Sequence, residues 1–168
     1  GLLDRQRPAP GRPDLRGWEW RHLWARTRGD EAFTIGVLTN LRYEIESVAC
    51  PADGGLVAVG TVDGTVELWE AATRRRLATL QESYGRQQEV AFSANGDWLA
   101  ATANTFADTN HQVRVWQIGP QPRLVQSLPH DRGCSSLDFA PEGQRLATMG
   151  RDGKVRVWSV SDGKLLAS

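Results

Sequence analysis

The phrase VDGTVELWEA at residues 62–71 returns near the end of the chain as RDGKVRVWSV at residues 151–160. An altered copy, NHQVRVWQI, lies between them at residues 110–118. The Trp residues of the three copies are Trp69, Trp116 and Trp158, with gaps of 47 and 42 residues. This repetition constrains the fold more than any other feature, because each repeated unit must be one small structural module that stacks on its neighbours.

A second landmark repeats in phase with the first. The segments VACPADG, VAFSANG and LDFAPEG begin at Val48, Val90 and Leu137, with gaps of 42 and 47 residues. A five-residue insertion in the middle copy, before Val113, explains why the long and short gaps change places. A period in the low forties with four short strands per unit is typical of a propeller blade.

Each copy divides into short strand-like segments separated by turn residues. In the middle copy the first three strands are predicted at 90–92, 98–102 and 113–116. An Asp-Gly, Asn-Gly or Glu-Gly pair closes the first turn of every copy, and Asp-Gly forms the second turn of copies one and three, which indicates tight hairpins. Outer fourth strands are predicted at 76–80, 123–128 and from 164 onward. The sequence therefore predicts an all-β fold, a partial β-propeller of about three four-stranded antiparallel blades at about 37–80, 81–128 and 129–168.

The residues before the blades have a different character. Residues 1–13 are rich in Pro and are predicted to form a linker. Residues 14–29 are predicted to form a short, amphipathic, Trp-rich α-helix with Asp14 as its N-cap. Its aromatic surface favours packing on the propeller or a neighbouring domain, with a ligand-binding aromatic box or a membrane-surface helix as alternatives. Residues 32–36 are predicted to be a lone outer strand of a preceding blade.

The segment LATMGRDGKVRVWSVSDGKLL resembles the WD-repeat β-propellers, and the resemblance extends over about residues 32–168. Members of that family usually build seven blades in a closed ring. Three blades cannot close such a ring, so the resemblance implies that the chain is a piece of a longer protein with further blades beyond Ser168.

The resemblance also implies a buried hydrogen-bond set within each blade, made of a His, a Ser or Thr, a turn Asp and the repeated Trp. Copy three carries all four members as His130, Thr148, Asp152 and Trp158. Copy one keeps Asp63 and Trp69 but has Val59 in place of the hydroxyl, and copy two is matched by Thr102 and Trp116. Because their sets are incomplete, the first two blades are expected to be weaker than the third.

The N-terminal segment LLDRQRPAPGRPDLRGWEWRHLW resembles the connector that precedes the WD repeats of large bacterial multidomain proteins, many of them serine/threonine kinases of planctomycete type. The chain itself contains no Gly-rich loop or catalytic loop of a kinase. The segment LDFAPE, residues 137–142, fuses two kinase-like signatures that a kinase keeps apart, and it is interpreted as the first strand of blade three.

Composition excludes several classes of function. Lys and Arg total 20 and Asp and Glu total 20, so the net charge gives no reason to expect nucleic acid or an anionic membrane as partner. The two cysteines, Cys50 and Cys134, have no metal-site or disulfide-scaffold spacing, and the three His residues are scattered. No catalytic residue, metal or small-molecule cofactor is expected.

A candidate partner-binding face follows from the insertion. The segment ANTFADTNHQ, residues 103–112, replaces a two-residue turn, and an elaborated loop with an exposed aromatic residue is where a binding site would be placed. The candidate residues are Phe106, Asp108, His111, Arg86, Arg132 and Arg151. The alternative is a compact loop that packs Phe106 on itself.

The function that fits these features best is a non-catalytic protein-interaction scaffold, a WD-repeat propeller fragment of a larger bacterial protein. Its expected partners are a protein or peptide and the remaining blades of the parent chain. The alternative is a regulatory or substrate-holding part of a multidomain serine/threonine kinase or other enzyme whose catalytic domain lies outside this chain; a purely structural spacer is a third possibility. A cytoplasmic location is favoured, or an extracytoplasmic one if the parent has an upstream membrane segment.

Overall fold

The computed structural model describes residues 44–81, 89–104 and 111–168, and every regular element within them is a β-strand. The predicted linker at 1–13, helix at 14–29 and lone strand at 32–36 lie outside the described residues. None of the described residues belongs to a helix long and apolar enough to cross a membrane.

The strands form three four-stranded antiparallel sheets, each in chain order. Sheet 1 contains β1 (Ile45–Ala49), β2 (Leu56–Thr61), β3 (Val66–Glu70) and β4 (Arg75–Gln81). Sheet 2 contains β5 (Val90–Phe92), β6 (Trp98–Ala103), β7 (His111–Gln117) and β8 (Arg123–His130). Sheet 3 contains β9 (Cys134–Phe139), β10 (Arg145–Gly150), β11 (Val155–Ser159) and β12 (Leu165–Ala167). The prediction of an all-β partial propeller with three four-stranded blades is confirmed.

The strand register places the repeated Trp residues at equivalent positions. The pairs across the second and third strands are Trp69 with Val57, Trp116 with Leu99 and Trp158 with Leu146. Because a shift of one residue would turn a side chain to the other face of its sheet, this agreement fixes which residues of the three sheets correspond.

Glycines shape the tight turns as the repeat predicts. In the first turn of each sheet, Gly54, Gly96 and Gly143 have φ of 65°, 75° and 71°. In the second turn of sheets 1 and 3, Gly64 and Gly153 have φ of 91° and 80°. A side chain is disfavoured in this left-handed region, and the repeated Gly therefore follows from the hairpin geometry.

Two apolar cores lie between consecutive sheets. The residues of the first core are Ala58, Val66 and Leu68 of sheet 1 with Val90, Phe92, Leu99, Ala101 and Trp116 of sheet 2. The main residues of the second core are Ala100, Val113, Val115 and Leu128 of sheet 2 with Leu137, Phe139, Leu146 and Trp158 of sheet 3. Each of sheets 2 and 3 thus turns its Trp face to the preceding sheet, and sheets 1 and 2 turn the opposite face, rich in Ala and Val, to the next.

The structure lengthens the strands around the insertion. β7 begins at His111 rather than at Val113, because Gln112 pairs with Ala103 across the hairpin. β8 continues past residue 128 to His130, which lies opposite His111 in the register. The connection that replaces the usual two-residue turn is therefore residues 104–110.

The chain order places the connections at two opposite rims. We call the rim that carries the β2–β3, β6–β7, β8–β9 and β10–β11 connections the upper rim. The lower rim carries the connections from first to second and from third to fourth strand in every sheet.

Candidate functional site

The predicted partner-binding residues that the structure describes lie at the upper rim. Arg132 and Arg151 are exposed in the β8–β9 and β10–β11 connections, and the backbone N–H of Arg151 donates to the carbonyl oxygen of Gly133 over 3.0 Å. That bond holds the two connections side by side. His111 is half-buried at the start of β7 rather than in the loop. Phe106, Asp108 and Arg86 lie outside the described residues.

Three members of the hydrogen-bond set of sheet 3 form one continuous chain. Nε1–H of Trp158 donates to Oγ1 of Thr148 over 2.9 Å, and the Thr148 hydroxyl lies 2.9 Å from Nε2 of His130. Nδ1 of His130 lies 3.1 Å from the carbonyl oxygen of Leu128, which can only accept. His130 therefore carries its proton on Nδ1, and Nε2 accepts from the Thr148 hydroxyl. Burial lowers the pKa of His130, which keeps this neutral form.

Asp152 does not join the hydrogen-bond chain of His130, Thr148 and Trp158 that the resemblance implies, because its carboxylate accepts from Arg156 instead. Nη1 and Nη2 of Arg156 donate to its two oxygens over 3.2 and 2.5 Å, and the backbone N–H of Lys154 donates to it over 3.1 Å. The hydrogen bond from Arg156 lowers the pKa of Asp152 to about 2. A second carboxylate, Asp131, lies 3.8 Å from Nη2 of the same buried guanidinium.

In sheet 1 the corresponding groups use local partners. The two oxygens of Asp63 accept from the backbone N–H and the hydroxyl of Thr65 over 3.1 and 3.0 Å, and the Thr61 hydroxyl also donates to this carboxylate. Nε1–H of Trp69 donates to Glu67 over 3.0 Å. Val59 stands opposite Glu67, at the position that Thr148 has in sheet 3, so Trp69 has no hydroxyl of that kind to reach.

The assignment of Thr102 to the set of Trp116 is wrong by one residue. Thr148 pairs with Arg156, which lies two residues before Trp158. The equivalent residue of sheet 2 is Arg114, two residues before Trp116, and it pairs with Ala101. Neighbouring residues of a strand face opposite sides, so Thr102 lies on the other face of its sheet from Trp116. Its hydroxyl accepts instead from the backbone N–H of Glu89 over 3.2 Å.

Asn104 joins sheets 2 and 3 at the upper rim in a way that sequence reasoning missed. Its amide donates to the carbonyl oxygen of Cys134 over 2.7 Å and accepts from the Cys134 N–H over 2.9 Å. Gly133, at φ 84°, comes so close that a Cβ there would lie 2.8 Å from Oδ1 of Asn104. Because the partner is a backbone group thirty positions away, no local pattern of residues indicates this contact.

A polar groove of about 690 Å³ lies at the lower rim between sheets 2 and 3. Trp98 lines it together with Asp97, Glu142 and Arg145, and the last two form an ion pair at 2.6 Å. The guanidinium of Arg145 is already paired, and Asp97 accepts a hydrogen bond from the amide of Asn95, so the charged groups of this groove already have partners within the chain.

The described residues contain no group of three or more side chains suited to hold a metal ion. Both cysteines are free thiols, Cys50 exposed and Cys134 buried. Burial raises the pKa of Cys134 to about 11, so that its thiol stays protonated and unreactive near neutral pH. The hydrogen bonds at the upper rim position its connections relative to one another.

Comparison with known proteins places these observations in a family context. The family model for the WD domain, G-beta repeat, matches residues 36–70 and 122–159. The periodic tryptophan protein 2 homolog of Schizosaccharomyces pombe is 27% identical over 124 residues, which cover 73% of this chain and 14% of that protein. An uncharacterized WD repeat-containing protein of Synechocystis is 26% identical over 143 residues, which cover 84% of this chain and 39% of that protein.

The chain thus spans less than half the length of either relative. Among solved structures, the computationally designed Ika4 protein aligns with a TM-score of 0.64 and 23% identity, covering 81% of this chain and 78% of that one. At that identity the likeness concerns the fold alone. The chain therefore contains WD40 repeats arranged as a partial β-propeller, and it is similar to WD-repeat proteins.

Proposed function

We propose that this chain is a non-catalytic protein-interaction scaffold whose stacked sheets hold a partner-binding face at the upper rim. The observation that carries the proposal is that Arg132 and Arg151 are exposed in two connections that the hydrogen bond from Arg151 N–H to the Gly133 carbonyl oxygen holds side by side. WD-repeat proteins generally act as protein-interaction scaffolds. In such a scaffold the repeated residues build the framework, and binding depends on the connections that differ between repeats.

The partner we propose is a protein or peptide rather than nucleic acid. The equal numbers of acidic and basic residues support this choice, since a nucleic-acid-binding domain normally carries a net positive charge. Asp131, exposed next to Arg132 in the β8–β9 connection, also adds a negative charge to this rim.

We also include further sheets of the same parent protein among the partners. Val66 and Val113 are fully buried on the faces of sheets 1 and 2 that meet the next sheet. Val155 holds the same register position in sheet 3 but is 58% exposed, and its cross-strand partner Met149 is 47% exposed. A fourth sheet stacked on this face would bury them as the second and third sheets bury their equivalents.

A bacterial parent, and a link to a multidomain serine/threonine kinase or another enzyme, are finer proposals that rest on the resemblance of the N-terminal segment. In that role the scaffold would hold a substrate or regulator near a catalytic domain outside this chain. A cytoplasmic location likewise stays a proposal.

The test is capture of partners from a lysate of the source organism on the immobilised full chain, compared with the double variant Arg132→Glu/Arg151→Glu. Arg75→Glu/Arg123→Glu, on exposed outer strands, is the matched control for charge. We expect a discrete set of proteins whose recovery falls at least about fivefold with the rim variant alone, also after nuclease treatment. Recovery that the rim variant leaves unchanged, or that nuclease abolishes, would contradict the proposal.

A further inference from the structure

One register position carries an ionic side chain in all three sheets. It lies two residues before each repeated Trp and is occupied by Glu67, Arg114 and Arg156, which stand opposite Val59, Ala101 and Thr148. Since it shares its face with the Trp, the side chain of this position in sheets 2 and 3 is turned toward the preceding sheet.

Two of these three side chains have partners of opposite charge. Glu67 forms an ion pair with Arg76 at 2.7 Å and also accepts from the indole of Trp69. Arg156 holds both oxygens of Asp152 and has Asp131 at 3.8 Å. The second case shows that an arginine at this position can bind a carboxylate located at the upper rim.

Arg114 differs from both. It is half-buried, and its Nε is a buried donor without a hydrogen-bond partner in residues 44–81, 89–104 and 111–168. Across the hairpin, Ala101 offers only a methyl group. The hairpin that supplies Asp152 in sheet 3 is replaced in sheet 2 by the longer β6–β7 connection. A buried donor of a charged group is costly to leave unpaired, and an arginine fork matches the geometry of a carboxylate.

We infer that Arg114 is a binding site for a carboxylate side chain, Asp or Glu, of a protein partner that docks at the upper rim between sheets 1 and 2. This inference rests on the proposed scaffold function and specifies the chemistry of the partner. A carboxylate satisfies the site because it accepts from two nitrogens of the guanidinium at once, as Asp152 accepts from Nη1 and Nη2 of Arg156.

The experiment follows the Nε–Hε signals of the arginines in the full chain by ¹⁵N-edited nuclear magnetic resonance. The probe is an acetylated tetraglutamate peptide, with the tetraglutamine peptide as its uncharged counterpart. We expect a saturable shift of the Arg114 signal with tetraglutamate only. Arg123, exposed and bonded to Gln117, serves as the reference for non-specific charge effects.

Substitutions sharpen the result. Arg114→Gln should weaken tetraglutamate binding about tenfold, because a hydrogen-bonded charge is lost, whereas Arg123→Gln should leave it unchanged. Arg114→Lys keeps the positive charge but loses the paired N–H donors of the guanidinium, and it should bind tetraglutamate with intermediate strength. Equal weakening by both Gln variants, or an Arg114 signal that does not saturate, would overturn the inference.

A carboxylate of the chain itself is the main competitor for Arg114. If Asp108→Asn shifts the Arg114 signal in the free protein and tetraglutamate does not, the site is filled internally and the inference fails. That failure is distinct from failure of the proposed function, because rim-dependent capture through Arg132 and Arg151 does not require Arg114. Conversely, peptide binding at Arg114 without any rim-dependent capture would contradict the scaffold role alone.

Discussion

The hydroxyl of Thr148 is the shared partner of two buried groups, and its removal should be costly. In Thr148→Val the side chain keeps its shape, but Nε1–H of Trp158 and Nε2 of His130 both lose the oxygen that lies 2.9 Å away. Thr148 is 1% exposed and Trp158 5%, so water cannot easily replace it. With one donor and one acceptor left unpaired in the core, we expect the free energy of unfolding to fall by about 2–4 kcal/mol.

A second variant separates hydrogen bonding from packing. Thr148→Ser keeps the hydroxyl and loses one buried methyl group, which should cost only about 1 kcal/mol. Packing alone would predict the opposite order, because Val preserves the volume of Thr and Ser does not. Thr79→Val, the same change on the exposed side of β4, is the matched control and should lie within about 0.5 kcal/mol of the parent chain.

The measurement is urea unfolding of each full-length variant, followed by far-ultraviolet circular dichroism so that changes in Trp fluorescence do not interfere. If Thr148→Val is as stable as Thr148→Ser or more stable, the hydroxyl does not hold Trp158 and His130 in the way that the structure indicates. The same conclusion would follow if Thr148→Val lowered the free energy of unfolding no more than Thr79→Val does.

Three further predictions follow from the same structure. Burial lowers the pKa of His130 below its ordinary 6.5, so as the pH falls the unfolded chain binds a proton at this residue at a higher pH than the folded chain does. The free energy of unfolding should therefore fall as the pH drops below about 6.5, and this pH dependence should be weaker in His130→Gln. Arg74 has φ 60° at the turn position where sheet 3 has Gly163, and Arg74→Gly should raise the melting temperature through a gain of about 1 kcal/mol; an unchanged melting temperature would count against strain at this turn. A thiol reagent at pH 8 should label exposed Cys50 quickly and Cys134, with its pKa near 11, only on unfolding, and fast labelling of both would argue against the buried thiol.

The repeat predicted the fold well because its signals are local. The spacing of Trp69, Trp116 and Trp158 reflects whole modules, and the turn glycines reflect a backbone requirement at single positions. These features do not depend on which distant residues meet. The strand bounds shifted by more than one residue only near the insertion, where pairing such as that of His111 with His130 extends strands beyond their apolar residues.

The candidate site was harder to predict because it depends on register and on competition between partners. Thr102 was misplaced by one residue, which is enough to move a side chain to the opposite face of a strand. Asp152 was expected to share a hydrogen-bond set with His130, Thr148 and Trp158. Its carboxylate instead accepts from Arg156, four residues further on and across the hairpin, which offers two charged donors. That spacing of opposite charges across a tight turn is a signal that sequence reasoning could have used.

The difference between the two faces of each sheet gives the array a direction. Trp116 and Trp158 contact the sheet that comes before them, and Val113 lies on the face that meets the sheet after it. Both contacts between sheets join unlike faces, so a sheet added in the same way joins head-to-tail. Such a heterologous array closes only when the rotation per sheet divides a full turn. The size of a complete ring would then depend on the angle set by the apolar layers, and the binding residues at the rim could change without altering it.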